Sequence, residues 1–476
     1  MKCLFPYVFL RLVMLFSIIL IGTGSATAKT SIGSHAYTGV YQQENDPTVN
    51  FYVIERDGKV ILRSVWGTLE LEINSQNGFS LPDFGISAKF SNLEDGKFLN
   101  YVESVEGDLR HFKRVQEEPS IALIYASNPS FTNFSHSSHQ HCNNDHLFTV
   151  SNSNKELPER LSELVEQIES DRYGWGKQNS LLIYKDNSLI LERYFNSWTR
   201  NDPHQVQSVS KSITSLLIGS LITEGKLSDV NRPIMEYLPH YRELFDQGKA
   251  KITLANFLNM AAGLDWDEWS TSYGNPSNVR HQELHSDDGV AFTLGRQLTR
   301  QPGKHFSYSG GYVSVVGEVV ANIAKLPTAA DYARNSVFKE LCFKHSYWLK
   351  QHDGRTNTGG GAMMRPLDML KLGKLMLDEG KWQGKQLIEK QWVLDSMNPA
   401  TNPYRPSYTY FWWHEDYYVG KDKYTAVLAR GWGGQEIAVI KDLDLVVVKT
   451  ASNFTRTPQL TNMMKRFILP ALAEQI

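Results

Sequence analysis

A serine and a lysine three positions apart, Ser208 and Lys211, have the types and the spacing of a nucleophile and its base. The apolar run that follows, SITSLLIGSLITEG, predicts a buried helix, and residues three apart share one helix face. Burial disfavours a charged ammonium, so we expect the pKa of Lys211 to fall until its amine can accept the Ser208 proton. The positive end of the same helix would stabilise the oxyanion that forms on attack.

The spacing alone is a weak signal, because Ser336 and Lys339 repeat it. A chance match on a solvated helix explains most S-x-x-K sequences, so neighbouring segments must decide. One such segment is PGKHFSYSGGY, in which Tyr308 precedes two glycines and a predicted helix. Beside a lysine ammonium its phenol pKa is expected to fall, which would suit a general base or a proton shuttle. The alternative is a tyrosine packed in the core.

A glycine-rich turn forms the third candidate segment. Trp432, Gly433 and Gly434 directly precede a strand-like run that starts at Gln435. Glycines at the start of a strand mark places where a ligand approaches the backbone, and a backbone N–H there would stabilise an oxyanion. An ordinary glycine turn is the alternative.

The elements that must position these residues follow the order strands, helices, strands. Residues 158–476 show no βαβ repetition, which predicts an α+β domain whose antiparallel sheet uses both chain ends. Residues 29–117 alternate apolar and polar around turn pairs such as Asp57-Gly58, which predicts a small all-β barrel or sandwich. Residues 118–157, rich in Ser, Asn and His, predict a linker.

The first segment predicts a secretory signal peptide over residues 1–28. Lys2 and Arg11 flank the start of the apolar run LVMLFSIILIG, and the small residues SATA end at Ala28. An uncleaved anchor is the alternative. We therefore expect an exported protein, periplasmic or secreted, with no membrane span after cleavage.

Two cysteines remain after the predicted cleavage, Cys142 and Cys342, and the sequence leaves open whether they pair. Cys142 lies in the stretch HSSHQHCNNDH, whose residue types suit a metal but whose spacing fits no standard site. A polar surface loop is the alternative. The histidines of this stretch are His136, His139, His141 and His146.

Composition narrows the classes of partner. The 476 residues carry a formal net charge of -2 and are 41% hydrophobic, which is typical of globular domains with sizeable cores. Nucleic acid is excluded as the main partner, because phosphate binding needs a basic surface.

Four segments, taken in chain order, resemble the serine β-lactamase-related superfamily, which includes class C β-lactamases, DD-peptidases and related esterases and amide hydrolases. They are SVSKSITSLLIG, ITLANFLNMAAGLDW, GGGAMMRPLDMLKLGKLMLDEGKWQGKQLI and GWGGQEIAVIKDLDLVVV. The resemblance extends from Glu159 to the C-terminus. It implies a β-lactamase/transpeptidase-like domain, with an antiparallel sheet flanked by helices, whose chemistry needs no cofactor.

Carried over by position, the resemblance implies a role for each candidate. Ser208 would be acylated, Lys211 would activate it, and Tyr308 would share the proton transfer. The oxyanion hole would combine the backbone N–H of Ser208 with that of Gln435.

Two departures from the family pattern narrow the expected substrates. The Y-x-N segment reads Tyr308-Ser309-Gly310, which lacks the asparagine that contacts a substrate amide. The K-T-G or H-x-G segment reads Trp432-Gly433-Gly434, and tryptophan offers no cation for a substrate carboxylate. We therefore expect hydrolysis of a small ester or amide. The alternatives are a periplasmic DD-peptidase or weak β-lactamase, and a non-catalytic cell-wall-associated binding protein.

Overall fold

A computed structural model describes residues 32–45, 50–64, 67–81, 86–105, 107–116, 130–134, 142, 144–150, 157–175, 177–196, 198–246, 248–401, 407–454 and 460–473. The chain divides into the units Met1–Gly33 and Ser34–Ile476, and every element below belongs to the second. The signal peptide predicted at residues 1–28 lies outside the described residues.

Twenty-one strands are described in this unit. They are β1 (Gly39–Gln43), β2 (Asn50–Arg56), β3 (Lys59–Ser64), β4 (Gly67–Leu71), β5 (Gly78–Leu81), β6 (Ile86–Glu94), β7 (Lys97–Val105), β8 (Asp108–Gln116), β9 (Phe131–Asn133), β10 (Gln178–Lys185), β11 (Ser188–Tyr194), β12 (His204–Gln205), β13 (Tyr347–Leu349), β14 (Ala362–Met364), β15 (Lys381–Trp382), β16 (Lys385–Gln386), β17 (Tyr408–Thr409), β18 (Trp412–Val419), β19 (Asp422–Gly431), β20 (Gln435–Ile440) and β21 (Leu445–Ala451).

The described helices all lie beyond the first eight strands, apart from one short 3₁₀ turn at Ser34–Tyr37. They are α1 (Glu159–Glu169), α2 (Val209–Thr223), α3 (Leu254–Leu258), α4 (Val279–Leu284), α5 (Gly289–Leu294), α6 (Gly310–Ala324), α7 (Ala329–Asn335), α8 (Val337–Glu340), α9 (Pro366–Leu377), α10 (Lys390–Met397), α11 (Leu460–Met463) and α12 (Leu469–Leu472). A π-helical turn, Met464–Ile468, joins the last two. The other 3₁₀ turns are Asp145–Phe148, Arg172–Gly174, Ile234–Tyr237, Pro239–Leu244, Lys249–Lys251, Pro399–Thr401 and Lys441–Leu443.

The N-terminal strands form one antiparallel sheet in the order β4-β3-β2-β1-β8-β7-β6-β5, which curls into a nearly closed barrel. Its β2–β3 hairpin turns at Asp57 and Gly58, both with positive φ, while Arg56 pairs with Lys59. This conformation suits an Asp-Gly pair because glycine has no Cβ to clash. The inside is filled by aromatic rings, such as Phe51 against Phe112 at 4.7 Å between ring centres. The predicted small all-β unit is confirmed.

The second sheet joins the two ends of the predicted α+β domain, residues 158–476. Its order is β11-β10-β21-β20-β19-β18-β17, so a strand from the start of this region pairs with one from its end. Side chains alternate between its faces: Leu182 packs in the core beneath α2, whereas Leu181 packs against α1 and the C-terminal helices. Helix α9 packs closely on this sheet at Gly373. A Cβ at this position would fall 2.4 Å from Val446 Cγ1. The predicted α+β fold is confirmed.

A third, four-stranded sheet, in the order β12-β14-β13-β9, connects the segment ahead of Ser208 to the rest of the fold. Strand β9 comes from the stretch predicted as a linker, so that stretch contributes to the folded structure. A link to the N-terminal sheet lies beside β12. Asp202 accepts hydrogen bonds from Arg56 Nη1 at 2.8 Å and from Arg63 Nη2 at 2.7 Å. One buried carboxylate therefore joins β2 and β3 to the strand that leads to Ser208.

Cys142 and Cys342 form a disulfide, with their Cα atoms 5.5 Å apart. This answers the question that the sequence left open. Near the disulfide, Asp145 accepts hydrogen bonds from the buried Lys371 and Arg365, which fixes the segment against α9.

Within the part of the chain that the structure describes, no single helix is both long and apolar enough to cross a bilayer. The pair formed by α6 and α7 reaches that length and composition only together, across a bend of 55°.

Candidate active site

Ser208 is the residue that precedes the first turn of α2. Serine at this position usually accepts a hydrogen bond from the helix backbone, but the Ser208 side chain makes no such capping bond. Instead, Lys211 Nζ lies 3.0 Å from Ser208 Oγ. The two side chains are therefore within hydrogen-bond reach, as a nucleophile and its base need to be.

Lys211 is buried, with 3% of its surface exposed, and the apolar side chains of α2 belong to the main hydrophobic core. The pKa of Lys211 is lowered to about 7, chiefly by desolvation; the charge of Glu268 opposes this shift, that of Arg280 adds to it, and that of Glu283 opposes it. Its amine also donates to the backbone carbonyl of Gly359. Near neutral pH Lys211 can therefore exist as the free amine, which is the form that accepts a proton.

The second S-x-x-K sequence provides a contrast within the same chain. Ser336 precedes the short helix α8, and the side chain of Lys339 is exposed to solvent. The spacing occurs twice, but of these two pairs only Ser208 and Lys211 lie in a buried helix.

The backbone just before Ser208 is held in an unusual conformation. Gln207 has φ of 50°, in the left-handed region that non-glycine residues seldom adopt. Ser210 Oγ donates to the Gln207 carbonyl at 2.7 Å and accepts from Ala362 N at 3.1 Å. Val206 N donates to the Ala362 carbonyl at 2.9 Å. Backbone held in a sparsely populated conformation by its surroundings is a feature of functional sites.

Tyr308 lies beside the pair, with its ring centre 4.8 Å from Lys211 Nζ. Its ring stacks on Trp269 at 5.1 Å. The expected fall of its phenol pKa is wrong: desolvation raises the pKa of Tyr308, although its hydrogen bond with Ser208 and the charge of Arg280 oppose the rise. The physical reason is that burial disfavours the phenolate, and the neighbouring lysine can itself lose its charge near neutral pH. Tyr308 therefore remains a phenol near neutral pH.

The glycine-rich turn connects β19 to β20 and presses against the segment ahead of Ser208. A Cβ on Gly431 would fall 2.2 Å from the Val206 carbonyl oxygen, and one on Gly433 would fall 2.5 Å from Phe454 Cε1. Both positions therefore need the absence of a side chain. Trp432, at the tip of the turn, leaves 44% of its surface exposed toward the cleft.

Gln435 begins β20 and is buried. Its side-chain amide donates to the Ala451 carbonyl and so is directed toward β21. Among the described residues, the cleft wall that contains Ser208 includes Trp432 but not Gly433, Gly434 or Gln435. The role of the Gln435 backbone N–H in an oxyanion hole stays a prediction.

A cleft of about 740 Å³ opens over Ser208 and Lys211. This volume is typical of small-molecule sites. Its other walls come from α4, from the loops around it and from the segment between β13 and β14. The described lining residues are Ser130, Gln205, Gln207, Glu268, Tyr273, Arg280, Leu284, His285, Leu349, Lys350, Gln351, His352, Gly354, Asn357, Gly359, Gly360 and Trp432.

Three charged residues that the sequence did not single out lie beside Lys211. Glu268 accepts hydrogen bonds from Gly310 N at 2.6 Å and Tyr273 Oη at 3.0 Å. Arg280 and Glu283 form a buried ion pair three positions apart on α4. In the sequence, such an i,i+3 pair is indistinguishable from the many that stabilise exposed helices.

The described residues of the histidine-rich stretch do not support the metal site that was considered for it. Cys142 is in the disulfide, and the described residues contain no group of three His, Cys, Asp or Glu that could hold an ion. His136, His139 and His141 lie outside the described residues.

Comparisons with known proteins place this geometry in context. A family model described as Beta-lactamase matches residues 178–471. The 6-aminohexanoate-dimer hydrolase of Paenarthrobacter ureafaciens is 24% identical over 324 residues, which cover 62% of this chain and 76% of that protein. A family VIII carboxylesterase superposes with a TM-score of 0.52 at 13% identity, over 68% of this chain and 99% of that one. An octameric penicillin-binding protein homologue from Pyrococcus abyssi gives 0.51 at 15% identity, over 66% and 77%. At these identities the solved structures show a shared fold.

Proposed function

The chain belongs to the beta-lactamase family of serine hydrolases, and we propose that it cleaves a small ester or amide through an acyl-enzyme on Ser208. The observation that carries this proposal is the distance of 3.0 Å between Lys211 Nζ and Ser208 Oγ at the floor of the cleft. The lowered pKa of Lys211, about 7, supports its role as the base.

In the first step, the Ser208 hydroxyl gives its proton to the neutral amine of Lys211 while Oγ attacks the substrate carbonyl carbon. The tetrahedral intermediate carries its negative charge at the N-terminal end of α2, where the helix dipole stabilises it. The backbone N–H groups of Ser208 and Gln435 are the proposed oxyanion donors.

In the second step, the bond to the leaving alcohol or amine breaks, and Tyr308 donates its phenolic proton to that group. The Lys211 ammonium returns a proton to Tyr308, so both residues are again neutral and Ser208 carries the acyl group. The raised pKa of Tyr308 means that the phenol carries the proton at neutral pH, which this step requires. Lys211 then accepts a proton from a water molecule, whose oxygen attacks the acyl-enzyme ester, and passes this proton to Ser208 Oγ as the carboxylic acid departs.

Aromatic side chains around the cleft favour an apolar acyl group. Trp432 and Tyr273 line the cleft with ring centres 6.4 Å apart, and both are partly exposed. Trp269, 62% exposed, stacks on Tyr308. Exposed aromatic rings at a cleft offer large apolar area at little entropic cost. The curated relative is named for a dimer of 6-aminohexanoate, which supports a small-molecule substrate.

The experiment compares hydrolysis of short-chain nitrophenyl esters and anilides by the wild type and by Ser208→Ala. We expect the variant to lose activity by about a thousandfold or more, as nucleophile removal does in serine hydrolases. Ser336→Ala, in the second S-x-x-K sequence, is the matched control and should keep its activity. A Ser208→Ala variant as active as the wild type would overturn the proposal, and a fluorophosphonate adduct on Ser208 would support it.

A DD-peptidase or β-lactamase activity is less well supported. One cation that contacts the glycine turn is Lys449, whose Nζ donates to the Gly434 carbonyl at 3.0 Å. Lys449 is 1% exposed and pairs with Glu436, and it is not among the described residues that line the cleft. Labelling of Ser208 by a fluorescent penicillin would favour this alternative. A folded protein that reacts with neither probe would favour the non-catalytic binding role.

We also propose that the protein is exported. The sequence pattern of residues 1–28 is the basis for this proposal. The disulfide between Cys142 and Cys342 supports it, because such bonds persist in oxidising compartments. Mass spectrometry of the N-terminus of the protein secreted by its host would test it, with cleavage expected after Ala28.

A further inference from the structure

Arg280 occupies a fixed position in the wall of the active-site cleft. It belongs to the first turn of α4 and is 5% exposed. Its guanidinium donates to Glu283, to Ser314 Oγ at 3.2 Å and to Asn357 Oδ1 at 2.6 Å. Glu283 is in turn held by Gln351 Nε2 at 2.7 Å. Hydrogen bonds from three directions leave this side chain little freedom to move.

The space that holds the guanidinium exists because two neighbouring positions lack side chains. A Cβ on Gly310 would fall 2.4 Å from Arg280 Nε, and one on Gly359 would fall 2.8 Å from Arg280 Nη2. Both distances are shorter than side-chain atoms tolerate. Neither glycine has a positive φ that would by itself require glycine, so the close approach of Arg280 is the reason that the structure offers.

Gly359 also connects Arg280 to the reacting groups. Its carbonyl oxygen accepts a hydrogen bond from Lys211 Nζ, while its Cα faces the guanidinium of Arg280. Lys211, Gly359 and Arg280 all line the same cleft as Ser208. A single glycine therefore separates the base from a permanently charged side chain.

On the basis of the proposed function, we propose that Arg280, fixed by Glu283, is a positioning residue that controls the protonation of Lys211. Its charge acts through the space that Gly310 and Gly359 leave open. Arg280 is not assigned to the reaction itself, because its described hydrogen bonds hold the guanidinium on Glu283, Ser314 and Asn357.

The charges that face Lys211 come from several elements, and they partly cancel. Arg280 on α4 disfavours the ammonium, whereas Glu268, on the loop before α4, and Glu283 favour it. The ring of Tyr308 lies against the ammonium as well. Because Arg280 and Glu283 act in opposite directions, removing either charge should move the titration of Lys211, and the two removals should move it oppositely.

The test measures the titration of Lys211 directly, by NMR of protein labelled with ¹³C at the lysine ε-carbons, with the Lys211 signal assigned by Lys211→Arg. We expect Arg280→Gln to raise the midpoint by about one pH unit and Glu283→Gln to lower it, since each removes one nearby charge. Arg280→Lys keeps the positive charge and should leave the midpoint closer to that of the wild type. The pH dependence of kcat/KM should follow, so that Arg280→Gln loses about ten times more activity at pH 6 than at pH 9.

The matched control is Arg334→Gln, which breaks another i,i+3 ion pair, that between Arg334 and Asp331. It should leave the Lys211 midpoint unchanged. Midpoints that stay constant, or that move in the same direction in Arg280→Gln and Glu283→Gln, would overturn the role of Arg280. If Arg280→Gln does not fold, a lowered midpoint in Glu283→Gln beside a midpoint in Arg280→Lys that stays close to that of the wild type supports the proposal, and any other result overturns it. A failure of the proposed function can be told apart from a failure of this proposal. The first would appear as hydrolysis that does not depend on Ser208, whereas the NMR midpoints are measured without substrate.

Discussion

The side chain of Arg280 fills the volume that a side chain at Gly310 would need, with only 2.4 Å between Arg280 Nε and a Cβ placed at position 310. The sequence marks Gly310 as the place where an expected asparagine is missing. In the folded chain the site is filled from α4 by a residue thirty positions earlier. A permanent cation therefore lies where the family resemblance leads us to expect a neutral amide.

Gly310→Ala should reduce kcat/KM, because the new methyl group forces Arg280 away from Glu283 and Asn357. We expect a loss of about tenfold, as for other displacements of a positioning group. In an Arg280→Ala background the same substitution should cost much less, since the clash is gone. A double-mutant cycle of kcat/KM measures this coupling, and strictly additive effects would show that the two positions act independently.

The activity of the wild type should rise with pH through about 7, the pKa of Lys211. Below this value Lys211 carries a proton and cannot accept one from Ser208, so kcat/KM should fall about tenfold for each further pH unit. Lys211→Arg stays charged throughout and should be inactive at every pH tested. Lys339→Arg is the matched control in the exposed S-x-x-K sequence. A flat profile for the wild type between pH 5 and 9 would contradict the role of Lys211 as base.

Trp432→Ala should weaken selection for large acyl groups. Loss of an aromatic wall removes about 1.4 kcal/mol or more of apolar contact, which corresponds to about tenfold in kcat/KM. We expect this loss for hexanoyl and phenylacetyl esters and little change for acetyl esters, measured over a series of nitrophenyl esters. Tyr418→Ala removes another exposed aromatic side chain, on β18 and not in the described cleft wall, and controls for surface effects. Equal losses for every ester would argue against an acyl site at Trp432.

The disulfide should contribute strongly to stability, because it closes a loop of 200 residues. The entropy of a loop of this size corresponds to about 5 kcal/mol of unfolding free energy. Replacing both Cys142 and Cys342 with alanine should therefore lower the Tm. The control is thermal unfolding of both proteins with and without dithiothreitol. The reductant should lower the Tm of the wild type and leave the Tm of the double variant unchanged. A Tm that neither change lowers would show that packing alone holds this segment.

Much of the fold was predictable because it depends on local patterns. Turn chemistry predicts the hairpin at Asp57-Gly58. Hydrophobic periodicity predicts the buried helix after Ser208 and the strands that pair between the two ends of the domain. The pairing of Ser208 with Lys211 follows from helix geometry, once burial of the helix is recognised.

The rest of the site was not predictable from local patterns. Glu268, Arg280 and Glu283 approach Lys211 only through tertiary packing of loops and α4, and no spacing in the sequence encodes that approach. The direction of the Tyr308 pKa shift depends on how much water its ring excludes and on the charge state of Lys211. The sequence shows that Gly310 replaces the expected asparagine. Only the folded structure shows that Arg280 occupies the space beside it.

The ion pairs of Asp202 with Arg56 and Arg63 connect the N-terminal sheet to the segment before Ser208, and they bear on how far the chain can be truncated. A truncated protein that begins at residue 158 would lack Arg56 and Arg63. Asp202, six residues before Ser208, would then lose both of these ion-pair partners. We expect such a fragment to lose order in the strand that leads into the nucleophile, however well its own core is packed. The N-terminal sheet thus supports the strand that leads to Ser208, and we expect a shortened version of this protein to need β2 and β3.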